Sequence, residues 1–402
     1  MAKEAEFYKK KLKNGLTVLF EKRELPVVTN SVSVKFGSEY EPMALKGVSH
    51  FIEHLVFKGT KKRNVKQISD EIEKKGGILN AFTSEEITSY WNKLPSRHFR
   101  IGIDLASDLA LNPLFKKEDL ERERKVILEE IKMYHDNPQS YVFEKIKELL
   151  YKKPFGMPIA GTLKTMAKVS RNQVLQTFNS VYSPNNMFLT VIGKASFQEI
   201  CELGEKIFPI GNKAVRERTP VIKNQSLIER RKGVDQANLV LGFHVPNLTD
   251  KKRYDVEIFD VILGKGMSSR LFQEVREKRG LAYAIKGNLE QDKNYGYETI
   301  YSGTTKEKVK KVKEIILKEI KKMSKLELKD FNEAKEQLIG LREVASENSE
   351  MAMLNLILEE NAGSAEEYYE YEQRINSIKL EDVRRLSRLN GYSFIALIPD
   401  GK

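Results

Sequence analysis

The segment His50-Phe-Ile-Glu-His54 places two imidazoles four residues apart. On a helix, positions four apart lie on one face, so both rings can reach one metal ion. The segment reverses the better-known H-E-x-x-H arrangement. Glu53 can sit beside such a metal without filling a ligand position, and a carboxylate there can take a proton from a metal-activated water. The alternative is two histidines on a partly buried helix without a metal, and the motif alone leaves it open.

The residues around this motif predict the helix that it needs. Five apolar residues form a stripe around the histidines: Val48, Phe51, Ile52, Leu55 and Val56. Gly59 follows the last apolar residues, and glycine is favoured where a helix ends. A histidine-bearing, half-buried helix is therefore expected in the first fifth of the chain.

A second helix, downstream, offers a third ligand. A catalytic zinc site of this type uses three protein ligands and one open position. The stretch 120–134 is rich in Glu, Lys, Arg and Leu, which favour helix. Glu123 and Glu130 are seven residues apart and so lie two turns along one face. Three further residues share that face: Val126, Ile127 and Tyr134. We expect this face to be buried, where carboxylates usually pair or bind a metal. Structural salt bridges remain the alternative for both glutamates.

The run HFIEHLVFKGT, which begins at His50, resembles the zinc-site signature of the pitrilysin, or inverzincin, metallopeptidases. The family includes the mitochondrial processing peptidase β subunit and insulin-degrading enzyme, and this chain resembles its small-chain members. The downstream run ERKVILEE, which begins at Glu123, fits the helix that carries the family's third ligand. The likeness extends over nearly the whole chain.

This resemblance implies a role for each polar residue of the two helices. His50, His54 and Glu130 would bind one zinc ion per chain. Glu53 would act as the general base, and Glu123 would support the site from outside the ligand set, as outer carboxylates commonly do.

Two further segments resemble substrate-binding parts of the family. The run GGILNAFT at 76–83 resembles its substrate-edge strand, in which Asn80 and Ala81 would hold the peptide backbone. Considered without the resemblance, Gly76 and Gly77 predict a turn, and the residues after them predict a hairpin whose open edge can pair with a peptide. The run REKRGLAY resembles the family's Arg–Tyr pair and assigns substrate contacts to Arg276 and Tyr283. Alternatively, Arg276 is a cation in the last turn of a helix that Gly280 caps.

The chain of 402 residues exceeds one compact core, and its halves repeat an order of strands followed by helices. We predict an α+β fold of two similar domains, each a mainly antiparallel sheet packed with helices, together forming a clamshell. The predicted bounds are 1–211 for the zinc-bearing catalytic domain, 212–232 for a charged linker, and 233–402 for a substrate-gripping domain without a metal motif.

The net charge of +12 invites a nucleic-acid interpretation, which the charge pattern disfavours. The basic residues alternate with glutamates, as between Lys306 and Lys325, and this is typical of solvated helix faces. No apolar run reaches the length of a membrane span, and the N-terminus lacks the core of a secretory signal. A single cysteine, Cys201, suits a reducing compartment. We expect a cytoplasmic protein without nucleic-acid or membrane partners.

These features together predict a zinc endopeptidase that hydrolyses short or unfolded peptides inside a two-domain chamber. Family members with a chain of this size usually work as dimers, so the resemblance implies a homodimer. The alternative is a non-catalytic or partner-dependent subunit of a processing-peptidase-like complex. Non-catalytic subunits degrade the metal motif, whereas this chain keeps it.

Overall fold

The computed structural model describes residues 6–213, 218–389 and 391–401. Residues 1–5, at the start of the N-terminal stretch discussed above, and 214–217 of the predicted linker lie outside the described residues. The chain forms two compact units, each drawn from three segments. Unit 1 takes the residues up to Ile131, Pro158–Arg218 and Ala345–Tyr369, and unit 2 takes Lys132–Met157, Thr219–Val344 and the residues from Glu370 onward. The predicted bounds are continuous stretches, whereas each compact unit includes a segment from the other half of the sequence.

Unit 1 contains a six-stranded sheet in the order β1-β2-β6-β3-β5-β4. Its strands are β1 (Glu6–Lys11), β2 (Thr17–Lys22), β3 (Val27–Val34), β4 (Ile78–Thr83), β5 (Thr88–Pro95) and β6 (Met187–Gly193). Strands β2 and β6 pair in parallel, and the other neighbours are antiparallel. The hairpin of β4 and β5, predicted from the sequence, forms one end of this sheet.

Unit 2 contains a five-stranded sheet in the order β7-β11-β8-β10-β9. Its strands are β7 (Ser226–Arg231), β8 (Ala237–His244), β9 (Ala282–Gln291), β10 (Gly296–Thr304) and β11 (Ser393–Pro399). Strands β7 and β11 are parallel, and the other pairs are antiparallel. This order repeats that of β2, β6, β3, β5 and β4, so the prediction of two similar, mainly antiparallel α+β domains is confirmed.

Fourteen helices are assigned in the described residues: α1 (Val48–Val56), α2 (Val65–Glu73), α3 (Phe99–Leu111), α4 (Lys117–Asp136), α5 (Pro138–Leu150), α6 (Leu163–Met166), α7 (Arg171–Val181), α8 (Phe197–Ile207), α9 (Arg253–Leu263), α10 (Val309–Lys322), α11 (Leu328–Ser346), α12 (Ser349–Ala362), α13 (Tyr371–Ser377) and α14 (Leu380–Arg385). Capping boxes start α2 at Asn64 and α7 at Ser170. None of the described helices is long and apolar enough to cross a membrane.

Alternate residues of the strands face different apolar layers, as the two-residue period of a strand requires. In β2, Val18 and Phe20 join the main core of unit 1, whereas Leu19 points to the opposite face. Helix α12 covers that opposite face with four apolar side chains: Ala352, Met353, Leu356 and Ile357. A helix from late in the chain therefore covers one face of a sheet whose strands all come from the first half of the sequence.

Unit 2 shows the reciprocal arrangement. Leu239 and Leu241 of β8 join its main core, whereas Val240 faces the other way. On that side, helix α5 contributes Val142 and Ile146. Each sheet is thus covered on one face by a helix from the other half of the sequence.

Unit 2 also buries two carboxyl groups that contact each other. Asp260 on α9 and Glu298 on β10 are 6% and 1% exposed. Burial is the main cause that raises both pKa values, that of Asp260 to about 6 and that of Glu298 well above its usual range. The backbone N–H of Asn288 donates to Glu298 Oε1 at 3.2 Å. Lys265 opposes the rise at Asp260, but two contacting buried carboxyl groups still favour sharing a proton over ionising together.

Candidate metal centre

Helix α1 is held at its first turn by a buried acid. Gly47 precedes the helix with φ of 101°, a left-handed conformation that suits glycine. The Glu41 carboxylate accepts hydrogen bonds from the Gly47 N–H at 2.8 Å, the Ser49 N–H at 2.7 Å and the Ser49 hydroxyl at 2.6 Å. The fully buried Lys46 ammonium lies 3.8 Å from the same carboxylate. These contacts satisfy the open N–H groups of the first turn and fix the start of the helix.

The apolar side of α1 sets the direction of its two histidines. Phe51, Ile52 and Leu55 are at most 1% exposed within the core of unit 1. His50 and His54 are only partly buried, and their ring centroids lie 4.6 Å apart. The spacing of four residues therefore places both imidazoles on one face, as the sequence predicts.

Glu130 of α4 meets these two rings. Its Oε2 atom lies 3.8 Å from His50 Nε2 and 3.6 Å from His54 Nε2. The ligand atoms of the three residues all lie within 4.8 Å of one another. These separations are too long for hydrogen bonds. They are close to the ~3.4 Å expected between ligand atoms that sit ~2.1 Å from one tetrahedral zinc ion.

The chemistry of this donor set also fits zinc. Burial, followed by the neighbouring His54, lowers the pKa of His50 to about 3, so its imidazole is neutral. Neutral imidazole and ionised carboxylate are the forms that bind the metal. His50 Nδ1 is buried and has no hydrogen-bond partner among the described residues. Two nitrogens and one carboxylate oxygen leave room for the open position of a catalytic site.

Glu123 contacts His54 from the side away from Glu130. Its Oε2 atom lies 3.4 Å from His54 Nδ1, and Lys58 Nζ lies 2.9 Å from its Oε1. The carboxylate is therefore placed to hold the ring with Nε2 turned toward Glu130, the arrangement of an outer carboxylate behind a metal-binding histidine. Sequence reasoning did not identify Lys58, although it lies four residues after His54.

Glu53 lies beside the three-residue group and makes its own contact. Its Oε2 atom accepts a hydrogen bond from the Thr83 hydroxyl at 2.5 Å. Burial raises the pKa of Glu53, while the Thr83 hydrogen bond and the nearby His54 oppose the rise. A largely buried carboxyl with a raised pKa is suited to proton transfer. Thr83 was not predicted as a site residue, because its role depends on how β4 packs against α1.

The expectation for the buried face of α4 is partly wrong. Ile127 is fully buried and Glu123 is 4% exposed, as predicted. Val126 is 47% exposed and Tyr134 is 36% exposed. Val126 is displaced by about 60° from Glu123 around the helix, on the side opposite Ile127. Tyr134 has a suitable angle but lies beyond Ile131, where the part of α4 in unit 1 ends.

Asn80 and Ala81 lie on β4, the last strand of the sheet of unit 1. They pair with Trp91 and Tyr90 of β5, and no strand of the described residues pairs with the other edge of β4. The exposed Asn80 side chain accepts a hydrogen bond from the Ala81 N–H at 2.8 Å. Because Thr83 ends the same strand, β4 connects an open edge directly to the Glu53 carboxyl.

Arg276 and Tyr283 lie in unit 2 and border one pocket of about 620 Å³. Arg276 ends a π-helical segment, Phe272–Glu277, and its guanidinium lies 4.9 Å from the Phe272 ring centroid. The helix expected to end near Arg276 is thus wound more widely than an α-helix. Gly280 follows with φ of 55° and donates its N–H to the Arg276 carbonyl. The turn after Arg276 therefore ends at a glycine, as expected.

The ring of Tyr283 is fixed by its neighbours across the β9–β10 pair. A Cβ atom at Gly303 would overlap the Tyr283 ring, so the hydroxyl end of that ring lies against this glycine. Burial, followed by a side-chain hydrogen bond with Tyr283, raises the pKa of Tyr301. Tyr301 in turn donates to Asn238 Oδ1 at 2.7 Å. Gly303, Tyr301 and Asn238 were not predicted, since only strand pairing brings them to Tyr283.

Comparisons with known proteins give two family matches along the chain. Residues 17–163 match the family described as Insulinase (Peptidase family M16). Residues 168–338 match the family described as Peptidase M16 inactive domain. The first match contains the histidines of α1 and Glu130, and the second contains Arg276 and Tyr283.

Curated relatives and a solved structure extend these matches over the full chain. An uncharacterized zinc protease of Rickettsia bellii is 35% identical over 347 residues, which cover 84% of this chain and 83% of that protein. The uncharacterized zinc protease YmxG of Bacillus subtilis is 31% identical over 400 residues, 96% and 97% of the two chains. A protease from Helicobacter pylori has the same fold, with a TM-score of 0.91 at 22% identity over 99% of this chain and 100% of that one.

Proposed function

Because the chain belongs to peptidase family M16, whose members named above include zinc proteases, we propose that it is a zinc endopeptidase acting on short or unfolded peptides. The observation that carries the proposal is the meeting of His50, His54 and Glu130 from two separate helices. The name of the second matched family, an inactive domain, agrees with a metal group that lies entirely in unit 1.

The chain offers a complete ligand set for the metal. His50 and His54 would supply imidazole nitrogens and Glu130 a carboxylate oxygen, with Glu123 and Lys58 holding the His54 ring. Zinc bound there supplies a Lewis acid that polarises a carbonyl oxygen and lowers the pKa of a water to about 7.

Glu53 performs the proton transfers in this proposal. Thr83 occupies its Oε2 atom, so Oε1 is the atom left to accept a proton from the attacking water. The same carboxyl then delivers that proton to the nitrogen of the leaving amine, and peptide and water become an acid and an amine. The raised pKa brings the carboxyl closer to the pH at which it must both accept and release a proton.

The open edge of β4 is the proposed binding surface for the peptide backbone. An extended peptide can add to an unpaired strand edge, and Asn80 and Ala81 lie on that edge. Arg276 and Tyr283, in unit 2, are proposed as further peptide-binding residues. A homodimer of the chain is also proposed, to be tested by the mass of the purified protein in solution.

The test combines zinc content with cleavage of a quenched fluorescent peptide. Wild-type protein should hold one zinc per chain after dialysis and cleave the peptide. Glu53→Gln should keep that zinc and the fold but lose at least ~10³-fold in kcat, because a key proton-transfer group is gone. Active Glu53→Gln protein would refute the mechanism, and zinc-bearing wild type that cleaves no peptide would favour the non-catalytic or partner-dependent alternative.

A further inference from the structure

Arg276 and Tyr283 border a pocket in unit 2. Other residues that line this pocket have no role in the proposed chemistry. Lys286 of β9 and Asp235, just before β8, also line it. Buried or nearly buried side chains form an apolar part of its wall, among them Val234 and Ile285.

The two cations of this pocket have few partners, and only Arg276 has a carboxylate within 4 Å among the residues described. The ammonium of Lys286 lies 5.8 Å from the centroid of the Phe143 ring and forms no ion pair within the described part of the chain. Phe143 stacks on Tyr301 with ring centroids 5.6 Å apart, so the lysine lies over an aromatic pair of which Tyr301 lines the pocket. The Nε atom of Arg276 lies 3.9 Å from Glu277 Oε1, which is too long for a hydrogen bond.

Among the residues that line the pocket, Lys286 and Arg276 are cations and Asp235 is the one carboxylate. Asp235 is exposed and pairs with neither cation in the described residues. A group with a complementary negative charge would gain charge-assisted hydrogen bonds from the two cations. The pocket volume of about 620 Å³ is ample for one side chain of a peptide.

We propose that this pocket is a subsite for a carboxylate of the bound peptide and that Lys286 determines the preference for it. The inference rests on the proposed peptidase function and adds a substrate class to it: peptides that carry an acidic side chain or a free C-terminal carboxylate at the position facing the pocket. Asp235 limits the preference, because it repels the same carboxylate.

The experiment measures peptide binding separately from cleavage. Full-length Glu53→Gln protein, loaded with zinc, is titrated into fluorescent decapeptides in which a single Glu is moved along a neutral sequence. Each peptide has a Gln counterpart, and each is made with a free and an amidated C-terminus. We expect at least one Glu peptide to bind ~10-fold more tightly than its Gln counterpart, as for a charge-assisted hydrogen bond. If the Glu and Gln peptides bind equally and amidation of the C-terminus weakens the binding of both, the bound carboxylate is the C-terminal one.

Variants of the pocket identify the residue responsible. Lys286→Met should abolish the preference, Lys286→Arg should keep it, and Asp235→Asn should increase it. Lys325→Met, an exposed lysine outside the pocket, should leave it unchanged and serves as the matched control. Equal binding of acidic and neutral peptides of both kinds, or an unaltered preference in Lys286→Met, would overturn the inference. Cleavage by the wild type is measured separately, so the subsite can fail while the peptidase function stands.

Discussion

The Thr83 hydroxyl donates a 2.5 Å hydrogen bond to Glu53 Oε2 and so connects the end of β4 to the helix of the two histidines. This contact gives one side of the Glu53 carboxyl a fixed partner. The strand with the open edge and the carboxyl that is proposed to move protons are therefore held in one geometry.

Removing this hydrogen bond should reduce turnover without removing the metal. Thr83→Val keeps the shape of the side chain but cannot donate, so Glu53 loses its orientation and kcat should fall about 10-fold, the equivalent of roughly 1.4 kcal/mol. Thr83→Ser restores the donor and should recover most of the loss. Steady-state kinetics with zinc content measured on each variant checks this, and a Val variant as fast as wild type would show that the contact has no role in turnover.

The two glutamates of α4 should differ in their effect on zinc. Glu130→Gln removes a ligand and should leave the dialysed protein with little zinc. Glu123→Gln removes an outer carboxylate and should weaken zinc binding only ~10- to 100-fold. Glu129→Gln is the matched control next to Glu130 and should retain full zinc. Competition with a chelating dye measures all three, and full occupancy in Glu130→Gln would mean that the ligand is misassigned.

A methyl group at position 303 should act on Tyr283. Gly303 has no unusual backbone angle, but its added Cβ would overlap the Tyr283 ring, so Gly303→Ala must displace that ring. We expect kcat/KM to fall ~10- to 1000-fold, as for the loss of a contact made mainly in the transition state. Zinc content should not change. Gly340→Ala, a helical glycine with open space around it, is the control. If Gly303→Ala and Tyr283→Phe both cleave like wild type, Tyr283 takes no part in the reaction.

The carboxyl pair of unit 2 should make stability depend on pH. The folded-state pKa of Asp260 is about 6 and that of Glu298 is also raised, so the folded protein binds more protons than the unfolded chain. Stability is then highest below the unfolded pKa of about 4 and falls as pH rises toward 6 and above. The Glu298→Gln variant should lose less stability as pH rises, so it should be more stable than wild type at pH 8 and nearly equal to it at pH 4.5.

The free energy of unfolding is measured with urea at both pH values, with the exposed Glu336→Gln as control. Parallel pH curves for wild type and Glu298→Gln would contradict the prediction.

The sequence predicts the elements whose patterns are local. The spacing of His50 and His54, with the apolar stripe around them, predicts α1, and the Glu-, Lys- and Leu-rich composition of 120–134 predicts α4. Strands β1 and β7 were missed, because their sequences, EFYKKK and SLIERR, are largely polar and exposed at sheet ends. Edge strands gain their conformation from one neighbour rather than from burial, so they lack an apolar signal.

The site contacts that the sequence does not predict are all non-local. Thr83 is 30 residues from Glu53, and Gly303 is 20 residues from Tyr283; each pair meets only through packing of separate elements. Val126 was wrongly expected to be buried. Helix periodicity gives the direction of a side chain around the helix axis, but it does not show how far the neighbouring surface extends to cover that side chain. The assignment of α12 to unit 1 likewise depends on which sheet face is left uncovered.

Helix α12, from the second half of the sequence, covers the sheet of unit 1, and α5, from the first half, covers the sheet of unit 2. This arrangement affects how the chain can fold during its synthesis. A ribosome releases the first sheet long before it reaches Ser349, the first residue of α12. Until then the face around Leu19, Phe188 and Ile192 has no cover. Early domains usually fold while synthesis continues, but this one must wait for residues near the end of the message. A nascent chain that stops before α12 therefore carries the histidine helix and all six strands of the sheet but leaves one sheet face uncovered, so the final packing of unit 1 is tied to nearly complete translation.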